Sequence, residues 1–228
     1  MTARKNKSLE VVSFRDSALA FTTTQVTDMQ TLITESFARR DVFEASQGLN
    51  LATDSSYTRE RKRIEKNSVA VARLFLALNV APSDVIERKV SENAMFNAKA
   101  LKKISEIATF TCGYGEKLER VTRAFIASCL LAADAGIAIV SNHVNRKFLN
   151  SADMKAVLTD EELAKTIAEY QHAAMSGGAP TQSSQARNVL DVLKLGRIES
   201  VEKSRDAIAI DSQHAFFAHF REQKMTSK

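Results

Sequence analysis

The chain has 228 residues and a formal net charge of +5, because 32 Lys and Arg exceed 27 Asp and Glu. Its 7 glycines and 2 prolines are too few for a many-turned all-β fold, a collagen or a long disordered linker. The length is sufficient for a hydrophobic core without disulfides or metal. These properties predict a mainly α fold, built as a multi-helix bundle.

The first part of the chain is expected to be an arm followed by a helical body. Residues 1–22 begin with a polar, basic stretch and predict a basic flexible arm. Apolar residues recur at helical spacing from Val26 to Phe37, which predicts an amphipathic helix with Thr22–Thr24 as caps and its end near Arg40. Residues 41–56 lose this period and predict a long loop. The helical body is predicted to cover residues 23–150.

One long helix is predicted next, from a cap at Ser55 or Ser56 to a stop at Asn79–Pro82. Its basic first half allows two interpretations. It is either a solvated face with i,i+4 charge pairs, such as Arg61 with Glu65, or a surface that contacts phosphates. The basic residues concerned are Arg59, Arg61, Lys62 and Arg63.

Two further helical segments are predicted over residues 83–90 and 92–110, followed by an apolar stretch at residues 124–141 whose only charge is Asp134. A membrane span needs about 20 predominantly apolar residues. We therefore expect a buried central helix and no membrane association, with a break at Gly136 and more helix up to residue 150. Cys112 and Cys129 lack metal-ligand or disulfide-framework spacing, and the N-terminus lacks a secretory pattern, which predicts a cytoplasmic protein.

Motifs that carry enzyme chemistry are absent from the sequence. It contains no GxxxxGK[ST], GxGxxG or GxSxG, and phosphate loops need such glycines because the backbone must approach the anion closely. His214 and His219 are five residues apart, which places them about 140° apart around a helix and unable to share a metal from one face. We therefore expect no enzyme activity, no cofactor and no metal.

The C-terminal part, residues 151–228, predicts a separate module. A capping box of Thr159 and Glu162 starts one helix, and the Gly177–Gly178 pair ends it. A second helix runs from a cap at Thr181, Ser183 or Ser184 to a stop at Gly196. The periodicity then changes, which predicts a β-hairpin over residues 197–211 and a short terminal helix after it.

This order of elements resembles a winged helix-turn-helix, although the MSGGAPTQ turn is longer than usual. The resemblance implies a second helix in the DNA major groove and a hairpin along the phosphates. The side chains at the start of that helix are short and polar, as contacts with the DNA bases require. Basic residues follow them and could contact the phosphates. The predicted DNA-binding residues are Ser183, Gln185, Arg187, Asn188, Lys194, Arg197, Lys203 and Arg205. A capped, solvated helix start explains the same residues without DNA.

Two functions follow from these features. The first is a non-enzymatic protein that binds double-stranded DNA, a regulator or replication accessory that forms a homo-oligomer through its helical body. The alternative is a helical assembly, scaffold or adaptor protein, of a viral type for example, that binds a protein partner. Its docking element would be an exposed terminal helix with Phe216, Phe217 and Phe220.

Overall fold

A computed structural model of the chain describes residues 13–53, 55–112, 118–134, 136, 139–140, 179–201 and 205–226. The described part is mainly helical, with two small antiparallel sheets. The predicted arm at residues 1–12, the helix predicted to start at Thr159 and the turn residue Lys203 lie outside the described residues.

The elements up to Asp134 are helical except for one small sheet. The helices are α1 (Phe14–Leu19), α2 (Thr23–Ser46), α3 (Ser56–Lys66), α4 (Ser68–Leu78), α5 (Pro82–Ile86), α6 (Ala98–Thr111) and α7 (Arg120–Asp134). Strands β1 (Lys89–Ser91) and β2 (Ala94–Met95) form an antiparallel pair between α5 and α6. The remaining elements are β3 (Ile139–Val140), α8 (Ala179–Val192), β4 (Gly196–Val201), β5 (Arg205–Ile210) and α9 (Ala215–Thr226).

Helix α2 starts at the predicted cap and ends later than predicted. The Thr22 hydroxyl accepts a hydrogen bond from the Gln25 backbone N–H at 3.3 Å, and the Gln25 side chain accepts from the Thr22 N–H at 2.9 Å, which completes a capping box. The helix continues to Ser46, so the prediction of a loop from residue 41 is wrong for its first six residues. An i,i+4 ion pair between Arg40 and Glu44 supports this extension.

The long helix predicted over residues 55–79 is divided at Asn67 into α3 and α4. The cap at Ser55 is confirmed, because its hydroxyl accepts from the Thr58 N–H at 3.1 Å. At the break, the Asn67 side-chain amide donates to Ser105 Oγ at 2.9 Å and ties the break to α6. Helix α4 ends with Asn79 in the left-handed conformation, at φ 50°.

The helix predicted over residues 83–90 is wrong in its second half. Helix α5 ends at Ile86, and the chain then forms the β1–β2 pair. The Phe96 N–H donates to the Arg88 carbonyl at 2.7 Å and closes this hairpin. Helix α6 follows, capped by Asn97, whose side chain accepts from the Lys99 N–H at 2.8 Å.

One hydrophobic core joins the N-terminal helices to α8 and α9. Helices α3 and α4 pack on α6, and α8 packs on both α6 and α7. Members of this core include Phe75, Ile104, Phe125, Leu190 and Phe217. The central helix predicted from the apolar stretch is present as α7, and among the described residues no helix is long and apolar enough to cross a membrane.

The predicted hairpin is confirmed as β4 and β5, in a register that pairs Gly196 with Ile210 and Val201 with Arg205. The short strand β3 pairs with β5, so the strand order is β3-β5-β4. Ile139 and Val140 are therefore strand residues, whereas a helix was predicted there. The rest of that predicted helix lies outside the described residues.

The two ends of the described chain pack against each other. Residues 14–19, which fall in the predicted flexible arm, form α1, and the Phe14 ring lies 5.6 Å from the Phe216 ring, edge to face. Phe216, Phe217 and Phe220 are all buried in the core. The prediction of an exposed docking helix is therefore wrong, because the aromatic face of α9 covers the rest of the molecule instead of facing solvent.

Candidate nucleic-acid interface

Helix α8, the predicted recognition helix, has one buried face and one half-buried polar stripe. The polar stripe consists of Ser184, Arg187, Asn188 and Asp191, which recur every three or four residues and so lie on one side of the helix. The opposite side is closed by Ala186, Val189, Leu190 and Leu193, all buried in the core. Only the stripe therefore offers side chains to a ligand in the part of α8 whose side chains are described, residues 184–192.

Gln185 does not belong to this stripe. It is 8% exposed and lies on the core side of α8, four residues before Val189. Gln185 was predicted to contact a base, but its side chain is buried in this structure and is not presented on the polar stripe. The sequence contained the signal, because a helical wheel of residues 184–193 places Gln185 with Val189 and Leu193. The side chain of Ser183 lies outside the described part.

The end of α8 differs from the prediction of a stop at Gly196. The chain leaves the helix at Lys194, which has φ 58°, and the Leu195 N–H donates to the Leu190 carbonyl at 2.8 Å. This is a Schellman ending with a lysine at the position that glycine usually occupies. Gly196 has a different role, because a Cβ there would lie 2.8 Å from Ile208 Cδ1 and 2.9 Å from the Ala209 oxygen. It permits the close approach of β4 to β5.

The basic residues at the end of α8 and on β4 have acidic neighbours. Arg197 is 80% exposed and is paired with Glu199 on the same strand. The Lys194 ammonium donates to the Asn79 carbonyl at 3.1 Å and lies 4.0 Å from the Asp84 carboxylate. Both side chains remain accessible, as contact with phosphates requires. For Arg205 only the backbone is described, in β5.

Asp191 connects three parts of the molecule, and residue patterns did not reveal this role. One carboxylate oxygen accepts from the Ile198 N–H of β4 at 3.1 Å, and the other pairs with Arg88, just before β1, at 2.8 Å. Arg88 thus reaches the polar stripe of α8 from a point more than 100 residues earlier in the chain. No local spacing in the sequence signals such a pair.

The basic cluster on α3 is largely neutralised. The predicted i,i+4 pair of Arg61 with Glu65 is confirmed at 2.8 Å, and Arg61 also contacts Asp41. Arg59 and Arg63 share the carboxylate of Glu60, at 3.1 and 3.2 Å. Lys62 is exposed on the same helix. These ion pairs favour a solvated face over a phosphate-contacting surface.

Beside this cluster, a polar network fixes α2 to the β1–β2 hairpin. Arg40 is 2% exposed, and its guanidinium donates to the Ile86 and Phe96 carbonyls and lies over the Tyr57 ring, 4.9 Å from the centroid. The Tyr57 hydroxyl donates to Asp41 at 2.6 Å. Burial, together with this hydrogen bond, raises the pKa of Tyr57 above its ordinary value. The tyrosine therefore stays protonated and serves as a structural donor.

A second charged group is buried between α6 and α7. The Lys103 ammonium donates to Glu119 at 3.0 Å and to the Thr122 hydroxyl at 2.7 Å. Burial tends to raise the pKa of Glu119, but the charge and hydrogen bond of Lys103, together with hydrogen bonds from the Val121 N–H and the Thr122 hydroxyl, outweigh it and the pKa is lowered. For Glu106, burial prevails over the attraction of Lys102 and raises the pKa. The opposed pKa shifts of these two carboxylates are explained by burial at Glu106 and by ion pairing and hydrogen bonding at Glu119.

The two histidines of the terminal helix region contact neighbouring groups of the same protein. His214 Nδ1 accepts from the Phe216 N–H at 3.2 Å, and His219 is buried beside the Phe110 ring. Within the described ranges, no three side chains of the His, Cys, Asp or Glu type are grouped closely enough to hold a metal ion.

Comparisons with known proteins supply no relative for this chain: no family model, no curated protein and no solved structure matches it.

Proposed function

We propose that this protein binds double-stranded DNA without catalysing a reaction, with the polar stripe of α8 in the major groove and the β4–β5 hairpin beside the phosphates. One observation carries the proposal. Among the described elements, the chain order is α7, β3, α8, β4 and β5, and β3 pairs with the second strand of the hairpin to give the order β3-β5-β4. This arrangement resembles the strand order of a winged helix-turn-helix.

The chemistry of the stripe supports the same ligand. Arginine donates two hydrogen bonds to the major-groove edge of guanine, and asparagine forms a donor–acceptor pair with adenine. Arg187 and Asn188 are neighbours on the stripe and are half-buried. Held partly by their surroundings, such side chains lose less conformational entropy when they contact a base.

The charge distribution predicts moderate affinity and moderate salt dependence. Each DNA phosphate that a lysine or arginine neutralises adds about −0.9 to the slope of the logarithm of the binding constant against the logarithm of the salt concentration. Arg197 and Lys194 have acidic neighbours, and the net charge of the whole chain is only +5. We therefore expect a slope of about −2 to −4, smaller than that of strongly basic DNA-binding proteins.

The experiment selects a preferred duplex from a random library and measures binding by fluorescence anisotropy in the presence of competitor DNA. Arg187→Ala and Asn188→Ala should each weaken binding to the selected duplex about 10- to 100-fold, since a bidentate base contact contributes about 1–3 kcal/mol. Both should lose less affinity for random duplex. Lys62→Ala on α3 is the matched control and should change affinity less than twofold.

Two results would contradict the proposal. The first is unchanged affinity in both α8 variants, and the second is a wild-type protein that binds no duplex at low salt. Thermal unfolding of each variant shows whether a loss of binding is a loss of fold. If Arg187→Ala unfolds, Asn188→Ala alone decides.

The alternative function, an adaptor protein, depended on an exposed terminal helix. The three phenylalanines of α9 are core residues, so that helix does not support it. Self-association through the helical body and a cytoplasmic location remain predictions. Light scattering coupled to size-exclusion chromatography tests the first, and fluorescence microscopy of a tagged protein tests the second.

A further inference from the structure

The turn between α8 and β4 is held by groups from the N-terminal half of the chain. The Arg88 guanidinium lies 2.8 Å from one oxygen of Asp191, and the other oxygen accepts from the Ile198 N–H of β4 at 3.1 Å. Asp191 is 16% exposed and Arg88 is 43% exposed in their side chains. Asp191 is thus the shielded partner and Arg88 the exposed one, and the hydrogen bond from Ile198 holds the carboxylate in a defined position.

A second contact holds the same turn from the same segment of chain. The Lys194 ammonium donates to the carbonyl of Asn79, the residue that ends α4. Residues 79–88 thus contact the turn at two points, one before β4 begins and one at the last turn of α8. Strand β4 lies at the edge of its sheet, so besides its pairing with β5 it is held by the hydrogen bond from the Ile198 N–H to Asp191.

We infer that Arg88 is a positioning residue: through Asp191 it holds β4 in place relative to α8, and the affinity of the proposed DNA site depends on this contact. The inference rests on the proposed function, since it names a residue of the N-terminal half that controls the same site. Arg88 itself touches Asp191, and the hairpin supplies the phosphate contacts.

Replacement of Asp191 by asparagine separates positioning from simple charge. Asparagine keeps an oxygen that accepts from the Ile198 N–H, but it loses the charge that pairs with Arg88. If only the local charge mattered, removing a carboxylate beside DNA would strengthen binding. If the ion pair positions the hairpin, the same change weakens binding.

We expect Asp191→Asn and Arg88→Ala each to weaken binding to the selected duplex about fivefold, which corresponds to about 1 kcal/mol. The double variant should lose little more than either single variant, because both remove one interaction. Hydrogen exchange at the Ile198 amide, measured without DNA, should become several times faster in Arg88→Ala.

Glu87→Gln is the matched control. Glu87 precedes Arg88 and pairs with Arg39 of α2 through two contacts of 2.9 Å. The hydrogen bond from Arg39 lowers the pKa of Glu87, so the variant removes one negative charge at neutral pH, as Asp191→Asn does. Its DNA affinity should equal that of wild type or exceed it slightly.

The outcomes separate this inference from the proposed function. Asp191→Asn that binds duplex as tightly as wild type, or more tightly, overturns the positioning role even if Arg187→Ala confirms the α8 site. Unchanged exchange at Ile198 in Arg88→Ala overturns it as well. A wild-type protein that binds no duplex refutes the proposed function and with it the DNA part of this inference, while faster exchange in Arg88→Ala would still establish that Arg88 holds β4.

Discussion

Arg40 provides the most direct test of how the segment that carries Arg88 is held. Its guanidinium donates to the Ile86 carbonyl at 2.9 Å and to the Phe96 carbonyl at 2.7 Å, and its Nε donates to Glu44 at 3.0 Å. The two carbonyls lie on either side of the β1–β2 hairpin. Arg40 therefore fixes both ends of that hairpin to α2.

Arg40→Ala removes all three hydrogen bonds and leaves a cavity beneath Tyr57. Hydrogen bonds from a charged group contribute about 1.5–3 kcal/mol each, and a buried carbonyl left without a partner adds a desolvation cost. We therefore expect the free energy of unfolding to fall by about 3–5 kcal/mol. For a chain of this size that corresponds to a decrease in Tm of roughly 10 °C.

Arg40→Lys should cause an intermediate loss of about 2 kcal/mol, because one ammonium lacks the planar fork that serves two carbonyls and a carboxylate together. The assay is urea unfolding followed by circular dichroism. Arg39→Ala, one residue earlier, is the control. Its side chain is 54% exposed and pairs with Glu87, so the expected loss is below about 1 kcal/mol. Equal stabilities of Arg40→Ala and Arg39→Ala would refute this reasoning.

Three further predictions concern other parts of the molecule. Gly196→Ala should lower the free energy of unfolding by about 1–3 kcal/mol in urea titrations, because its Cβ would meet Ile208 Cδ1 and the Ala209 oxygen. Burial raises the pKa of Glu106, so the stability of the wild type should fall as the pH rises from the ordinary glutamate pKa through the pKa of the folded state. Glu106→Gln should therefore stabilise the protein more at pH 7 than at pH 4 in urea unfolding. An equal effect at both pH values would contradict this. Burial raises the pKa of Cys129 to about 12, so a thiol reagent at pH 8 should modify it only after urea unfolds the protein.

Local signals in the sequence predicted the parts of the fold that depend on neighbouring residues. The cap at Ser55 and the pair of Arg61 with Glu65 are contacts three or four residues apart, which a helical period makes predictable. The hairpin after Gly196 was also predictable from local sequence, because the spacing of apolar residues changes there. Errors arose where a contact between residues distant in sequence overrode the local pattern. At Asn67, for example, the side chain forms a hydrogen bond to α6.

The candidate site was predictable only in part. Arg187 and Asn188 lie on the polar stripe as the helical pattern suggests, and the pattern also contained the signal that Gln185 is buried. The role of Asp191 was not predictable, because its partners Arg88 and Ile198 lie on other elements. Residue type alone could equally place Asp191 in solvent.

The order of residues is enough to predict a mainly helical chain, a basic cluster on the helix that starts near Ser55, and a hairpin after a polar-faced helix. These properties depend on composition and on short spacings, which act through backbone geometry within a few residues. Which apolar faces meet depended on the packing of the whole chain. It placed Phe216 of α9 against α1, Phe220 against α6 and Arg88 beside α8, because hydrophobic burial depends on area and does not specify a partner until the whole core is packed.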